Sequence, residues 1–324
     1  MDNFKQRYWY ALNEWLNPSG FGCWQLAGEY FENGVPKGWG NIEEKNALNL
    51  INTALDQGIN FFDTASSYGN GKSEALLGKA ISKSQNKHQA FVCTKLPLLQ
   101  HELETLTLDQ NFIQRVDASL ERLQRDRIDV LLLHNPPDLI EWDKFDTSML
   151  EKLKQAGKIG CYGVSCRSIN GVQKLVEANF GSCIEWVFNL FERRPIHLFP
   201  AFADQKINFI ARSPLSRGIF SPKYKNDFPQ YQGNDFRSTL PEDWIQWILG
   251  SIHALDLTNQ QREKLPQIAL QYCLSYEEVS AVIPGINKQA YLDDYLNLAK
   301  SNYLTDEFLQ KLHEHTEACF PKWK

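Results

Sequence analysis

The chain has 324 residues, 43% hydrophobic and 23% charged, which is the make-up of a water-soluble globular protein with room for one large barrel or two ordinary domains. Its formal net charge of -5 supplies no basic field, which argues against nucleic acid and anionic membrane as partners. No run of eighteen apolar residues occurs, and the opening "MDNFKQRYWYALNEWLNPSG" lacks the continuous apolar segment of a signal peptide. Seven scattered cysteines without a C-x-x-C spacing predict reduced thiols in a cytoplasmic protein, most of them small core hydrophobes, with no zinc or other metal site. No feature of the sequence selects an oligomeric state.

Short β-type runs recur at Phe21–Leu26, Asn60–Phe62, Ala90–Thr94, Val130–Leu133, Gly160–Val164, Ile184–Phe188, Phe209–Ala211 and Ala281–Ile283. Most are nearly all apolar, as parallel strands buried on both faces are. Helical patterns lie between them. "NIEEKNALNLINTALDQGIN" opens on Asn41 as a cap, presents Ala47, Leu50, Ile51, Ala54 and Leu55 on one face, and stops at Gly58. "NFIQRVDASLERLQRDRID" repeats the pattern with Phe112, Ile113, Val116, Leu120 and Leu123; "SMLEKLKQAGKIG" and "QAYLDDYLNLAK" follow. Eight strand–helix alternations without a Pro/Gly/Ser linker predict an α/β fold, a single-domain (β/α)8 TIM barrel over residues 1–324. The stretch from Ser213 to about Gln261 reads as irregular and too long for a simple connection, which predicts a lid or binding loop.

One segment, "FFDTASSYGNGKSEALLG", ends its loop in Gly71-Lys72-Ser73, the last letters of a phosphate-binding loop. The full motif needs a glycine at position 66, where Ser66 stands, so these letters read instead as a loop entering a helix, with Ser73 as its cap and Glu74 in the first turn. Gly20-Phe21-Gly22 is a dinucleotide fingerprint without its third glycine. The strand ends are more informative, because a (β/α)8 barrel gathers its active site there. Strand two ends in Asp63, with Tyr68 in the loop beyond; strand three ends in Lys95 and strand four in His134. A Tyr with a reference pKa of about 10 transfers protons poorly near neutrality. A neighbouring Lys ammonium favours its phenolate, an Asp would hold that Lys charged, and a His completes a polar grip on a carbonyl oxygen. Taken singly, Asp63 is also a turn acceptor, Lys95 a loop charge, His134 a packed histidine and Tyr68 a rim aromatic.

The stretches "GINFFDTASSYGNGKSEALLGKAI", "FVCTKLP", "RIDVLLLHNPP", "GKIGCYGVS", "ARSPLSRGIFSPKY" and "LPQIALQYCLSYEEVSAVIPG" stand in the order found in aldo-keto reductases, and from about residue 20 onward the chain resembles that family. The resemblance implies a (β/α)8 barrel that binds a nicotinamide cofactor without a Rossmann domain. It implies Tyr68 as the general acid, Lys95 as the residue that depresses its pKa, Asp63 as the partner of Lys95, and His134 as the group that orients substrate. The cofactor would contact Gly22, Cys23, Trp24, Asp63, Ser165, Cys166, Glu185, Arg212, Ser213, Leu215, Arg217, Gly285, Asn287, Lys288, Tyr291 and Asp294. Substrate would meet Trp24, Tyr68 and His134, with Trp39 and Arg167 as further rim candidates.

Several of these positions depart from the family pattern. Cys166 stands for an Asn and Glu185 for a Gln that hold the carboxamide; a carboxylate accepts from its NH2 but cannot donate to its C=O. Arg212 replaces a stacking aromatic, Asn287 the Arg that grips the 2′-phosphate of NADPH, Tyr291 a Gln or Arg, and Tyr295 an Asn. Lys288 is a substitute point charge for that phosphate. The expected cofactor is therefore NADPH, with NADH as the alternative. The expected activity is reduction of an aldehyde or ketone in a small-molecule substrate. Two rival readings follow from the departures: a cofactor-binding regulatory or sensor barrel, and a biosynthetic enzyme using the same site for dehydration or epimerisation.

Overall fold

The computed structural model describes residues 6–224, 230–231, 233–298 and 302–323. It opens with a hairpin that the sequence pattern does not announce, in which β1 (Arg7–Trp9) pairs antiparallel with β2 (Glu14–Leu16). Next come β3 (Gly20–Gly22) and a small antiparallel pair, β4 (Phe31–Glu32) with β5 (Val35–Pro36). The strands that follow are β6 (Phe61–Asp63), β7 (Phe91–Leu96), β8 (Ile128–His134), β9 (Ile159–Ser165), β10 (Cys183–Val187), β11 (Asn208–Arg212) and β12 (Val279–Ile283). With β3 they form one eight-stranded sheet in chain order, and the bridges Ser19–Val282 and Gly22–Gly285 join its two ends. This is the (β/α)8 barrel that the alternation predicts, with helices on its outer face.

The first expected strand ends early. Phe21–Leu26 is strand only to Gly22, and Trp24–Ala27 is a turn of 3-10 helix. Cys23 leaves the sheet, its N–H still donating to the Asp63 carbonyl at 2.8 Å. Two expected caps also differ. The helix Glu44–Asp56 begins after Glu43, while Asn41 donates to Glu29 at 3.2 Å; the apolar face itself is buried as expected. The helix Lys72–Lys83 begins after Gly71, whose φ of 88° a residue with a side chain adopts poorly. Ser73 is therefore inside the first turn, buried, donating to the Cys23 carbonyl and accepting from Thr64. Glu74 does lie in the first turn, buried, where it accepts from Thr94 at 2.6 Å and from Arg122 at 2.7 Å.

The stretch 213–261 is more regular than its composition suggests. It contains the helices Glu242–Ala254 and Asn259–Glu263, the first burying Trp244, Ile245, Ile248 and Ile252. Those four positions share one helical face, a signal that the surrounding Pro and aromatic residues hide. Residues 225–229 and 232 of that stretch lie outside the described residues, as do 299–300 at the end of "QAYLDDYLNLAK", whose helix is Gln289–Leu296. All seven cysteines are buried free thiols.

Strand alternation positions the site. Successive side chains of a strand point to opposite faces, so Gly22, Asp63, Lys95, His134, Ser165, Glu185 and Arg212 all face the barrel interior at its C-terminal end. Below them Phe61, Cys93, Val130, Leu132, Cys161, Cys183, Ile210 and Ala281 fill the interior. The hairpin closes the bottom. Trp9 is fully buried, its ring 4.8 Å from that of Phe61. Trp9→Ala is expected to cost about 3–5 kcal/mol of stability, the usual range for emptying a buried aromatic site; a urea midpoint equal to the parent's would show that the hairpin is not part of the core.

Candidate active site

Lys95 forms the floor of the site. Its side chain is fully buried, and its ammonium donates to both Asp63 oxygens at 2.5 and 2.6 Å and to the Thr64 carbonyl at 2.9 Å. The same nitrogen lies 3.5 Å from the Tyr68 hydroxyl and 3.2 Å from Glu185 Oε2. Burial works against the ammonium, but Asp63 and Glu185 outweigh it and hold Lys95 well above its ordinary pKa. Burial and the Glu185 charge push Asp63 up to about 8 against the pull of Lys95.

His134 stands at the edge, its ring 5.8 Å from that of Tyr68 and its Nδ1 3.3 Å from the Ser67 hydroxyl. Burial, then Lys95, Arg212 and Arg167, hold it well below the usual histidine range, so it is a neutral imidazole with one donor and one acceptor. For Tyr68 the sequence led to a lowered pKa. Lys95 does pull downward, but burial dominates, Asp63 and Glu185 add to it, and the net shift is upward. Near neutrality Tyr68 is a protonated phenol.

These groups open into a cleft of about 1120 Å³, beyond the roughly 300–1,000 Å³ of an ordinary small-molecule site and with room for a dinucleotide beside a second ligand. Asp63, Tyr68, His134, Gly22, Trp24, Trp39, Ser165, Arg167, Glu185, Arg212, Ser213, Leu215, Arg217, Gly285, Asn287, Lys288, Tyr291 and Asp294 all line it. Cys23 and Cys166 do not. Both follow an interior-facing residue, so alternation turns their side chains outward: Cys23 Sγ contacts the Phe21 carbonyl, and Cys166 lies behind the strand beside Gly171.

The residues that depart from the family pattern form one connected set. Glu185 Oε1 accepts from Ser165 at 2.8 Å and lies 3.7 Å from Arg212 Nε, while Arg212 donates to the Cys166 carbonyl at 2.9 Å. Acidic and basic side chains alternate along Asp63, Lys95, Glu185 and Arg212. Arg212 Nε is buried without a hydrogen-bond partner, and Glu185 Oε2, which faces the Lys95 ammonium at 3.2 Å, accepts no hydrogen bond; both residues line the cleft, a donor and an acceptor that fit a primary carboxamide. Farther along the cleft Arg217 has no ion-pair partner among the described residues; burial and then Arg212 lower it to about 10. Lys288 lies 5.7 Å from the Tyr291 ring at the start of the helix Gln289–Leu296, a cation beside an aromatic that fits a phosphate next to a base.

The sequence named Trp24, Trp39 and Tyr68 but not Phe236, which joins them into an aromatic wall. Trp24 stacks on Tyr68 at 5.6 Å and meets Phe236 at 4.6 Å, and Phe236 also meets Trp39 at 4.7 Å. Phe236 comes from the long stretch after β11; its N–H donates to the Gly38 carbonyl, and Asp235 bridges to Trp39. Its contacts span some two hundred residues of chain, which no local pattern reports.

The profile of the Aldo/keto reductase family matches residues 20–317. The chain belongs to the aldo-keto reductase family. This aldo-keto reductase is 29% identical over 282 residues to aldo-keto reductase YhdN of Bacillus subtilis, covering 85% of this chain and 82% of that protein. Its fold is similar to that of an aldo-keto reductase from Bacillus halodurans in holo form, with TM-score 0.73, 23% identity and coverage of 98% and 99%. It is also similar to an aldo-keto reductase from Klebsiella pneumoniae in complex with NADPH, with TM-score 0.68, 18% identity and coverage of 99% and 98%. No described helix is long and apolar enough to cross a membrane.

Proposed function

We propose that the protein reduces an aldehyde or ketone carbonyl with NADPH, using Tyr68 as the proton donor. The observation that carries this reading is Lys95, buried between Asp63 and Tyr68 beneath an open cleft that those two residues line. When bound, the nicotinamide supplies the hydride. The chain supplies position and charge. Tyr68, held as a phenol, donates its proton to the carbonyl oxygen as negative charge builds there; Lys95 stabilises the phenolate left behind; Asp63 and Glu185 together keep Lys95 charged, and Asp63 holds it in place; and neutral His134 hydrogen-bonds the same carbonyl oxygen.

The unpartnered Arg212 Nε and the Glu185 carboxylate beside it support a carboxamide contact, Glu185 accepting from its NH2 and Arg212 donating to its C=O. Glu185 also neutralises Arg212, which makes the cation tolerable beside a positively charged ring. Arg217 supports a pyrophosphate contact, and Lys288 and Asn287 a 2′-phosphate contact. The wall of Trp24, Trp39 and Phe236 over Tyr68 favours carbonyl compounds with an apolar or ring-shaped body.

The test is NADPH binding, read by tryptophan fluorescence, together with NADPH oxidation across a panel of aromatic and aliphatic aldehydes and ketones. Quenching with oxidation is expected. Tight binding with no oxidation anywhere on the panel would overturn the reading in favour of a sensor barrel. Product formed from a hydroxylated substrate without net cofactor oxidation would overturn it in favour of dehydration or epimerisation.

A further inference from the structure

Glu185 is buried on the barrel interior, and its position bears on the proton donor more directly than on any ligand. Lys95 has one ammonium and two carboxylates, Asp63 at 2.5 Å and Glu185 at 3.2 Å. We propose that Glu185 is a positioning residue for proton donation: by sharing Lys95 with Asp63 it withholds part of that ammonium's field from Tyr68 and keeps the phenol protonated. The inference rests on Tyr68 as the donor and extends it. A protonated phenol serves carbonyl reduction, which consumes a proton at the oxygen; alcohol oxidation needs the phenolate to accept one. Glu185 therefore sets the site for reduction across the neutral range and moves the window for oxidation to more alkaline pH.

The charged and titratable groups that face Lys95 and Tyr68 are Asp63 from β6, Cys93 from β7, His134 from β8, Glu185 from β10 and Arg212 from β11; Arg167 stands farther out beside His134, and Cys23 lies behind Asp63. Of these, Asp63 and Glu185 raise the Tyr68 pKa, and Lys95 and Arg212 lower it. The sign survives the coupling between the carboxylates. In the alkaline range where a phenol titrates, Asp63, itself at about 8, is already ionised, so removing Glu185 removes a full negative charge rather than releasing a shared proton. Arg212 carries the opposite sign, which gives the proposal an internal control.

The experiment uses the ligand-free protein labelled with 13Cζ-tyrosine, with the Tyr68 resonance identified by its loss in Tyr68→Phe. At a fixed pH of about 10.5 the Tyr68 phenolate-to-phenol ratio in Glu185→Gln is expected to rise about tenfold over the parent, the effect of a one-unit shift. Glu185→Met, a second neutral variant for use if the first fails to fold, carries the same expectation. Glu185→Asp keeps the charge and the parent ratio, and Arg212→Met lowers the ratio. A rise of less than about twofold in the neutral variants overturns the proposal, as does a rise in Arg212→Met, which would mark loosened packing rather than charge. Because the titration is read without cofactor or substrate, it stands or falls apart from the activity: full carbonyl reduction by Tyr68→Phe would defeat the donor assignment and leave the titration result intact.

Discussion

Tyr68→Phe is expected to lower the rate of carbonyl reduction by about 10²–10⁴-fold, the usual contribution of a positioned general acid. The substitution removes one hydroxyl from a ring that stays in place, because the ring is held by stacking on Trp24 at 5.6 Å and by the edge of His134 at 5.8 Å. NADPH affinity should change little, since the groups proposed to hold the cofactor, Glu185, Arg212, Arg217 and Lys288, belong to other strands and loops of the cleft. The loss should therefore appear in kcat and in kcat/KM alike, as for an interaction made only in the transition state. A variant that reduces substrate at the parent rate would remove Tyr68 from the mechanism.

The second large effect is on stability. Lys95→Met leaves Asp63 and Glu185 buried against one another with no cation between them, and breaking a buried ion pair from one side costs about 3–5 kcal/mol. The cost depends on pH, and its sign follows from the protons bound. Asp63 already lies at about 8 with Lys95 present, and without it the carboxyl moves further up, away from the roughly 3.9 of the unfolded chain. Between those two values the folded state holds a proton that the unfolded state has lost, so stability falls as pH rises, by up to about 1.4 kcal/mol per pH unit for each such group. Because the parent's Asp63 holds the same proton up to about pH 8, urea unfolding at steps from acid to alkaline pH should show a nearly constant gap between variant and parent below about pH 8 and a widening one above it, where only the variant keeps that proton. A parallel offset at every pH would assign the loss to packing instead of charge.

Much of this was legible in the sequence because the fold is periodic. The apolar runs fall within two residues of seven barrel strands, and for five of them the residue just past the run's end, Asp63, Lys95, His134, Ser165 or Arg212, is the one the barrel turns inward. Asp63, Lys95 and His134 stand at such ends, which is why three separate stretches read as one site. What the sequence hid has two physical causes. Alternation decides which of two neighbours faces the cleft: the resemblance implied contacts at both members of Gly22-Cys23 and Ser165-Cys166, and only Gly22 and Ser165 line it. Long-range packing decides the rest: the hairpin under the barrel, the helix Glu242–Ala254 and the placement of Phe236 against Trp24 and Trp39 depend on partners far along the chain. The sign of the Tyr68 shift belongs to the same class. It could not follow from Lys95 alone, because it needs the burial of the site and the carboxylate of Glu185, which only the closed barrel brings to that ammonium.

The hairpin closed by Trp9 has a consequence beyond stability. With its lower end filled, the barrel is a well with one mouth, and water reaches Asp63, Lys95 and Glu185 from above only. A ligand seated over Tyr68 corks that mouth. Under the proposed mechanism the proton count below it would be fixed at the moment of entry and reset when the occupant departs, one visit delivering one proton from a store that only the open state refills.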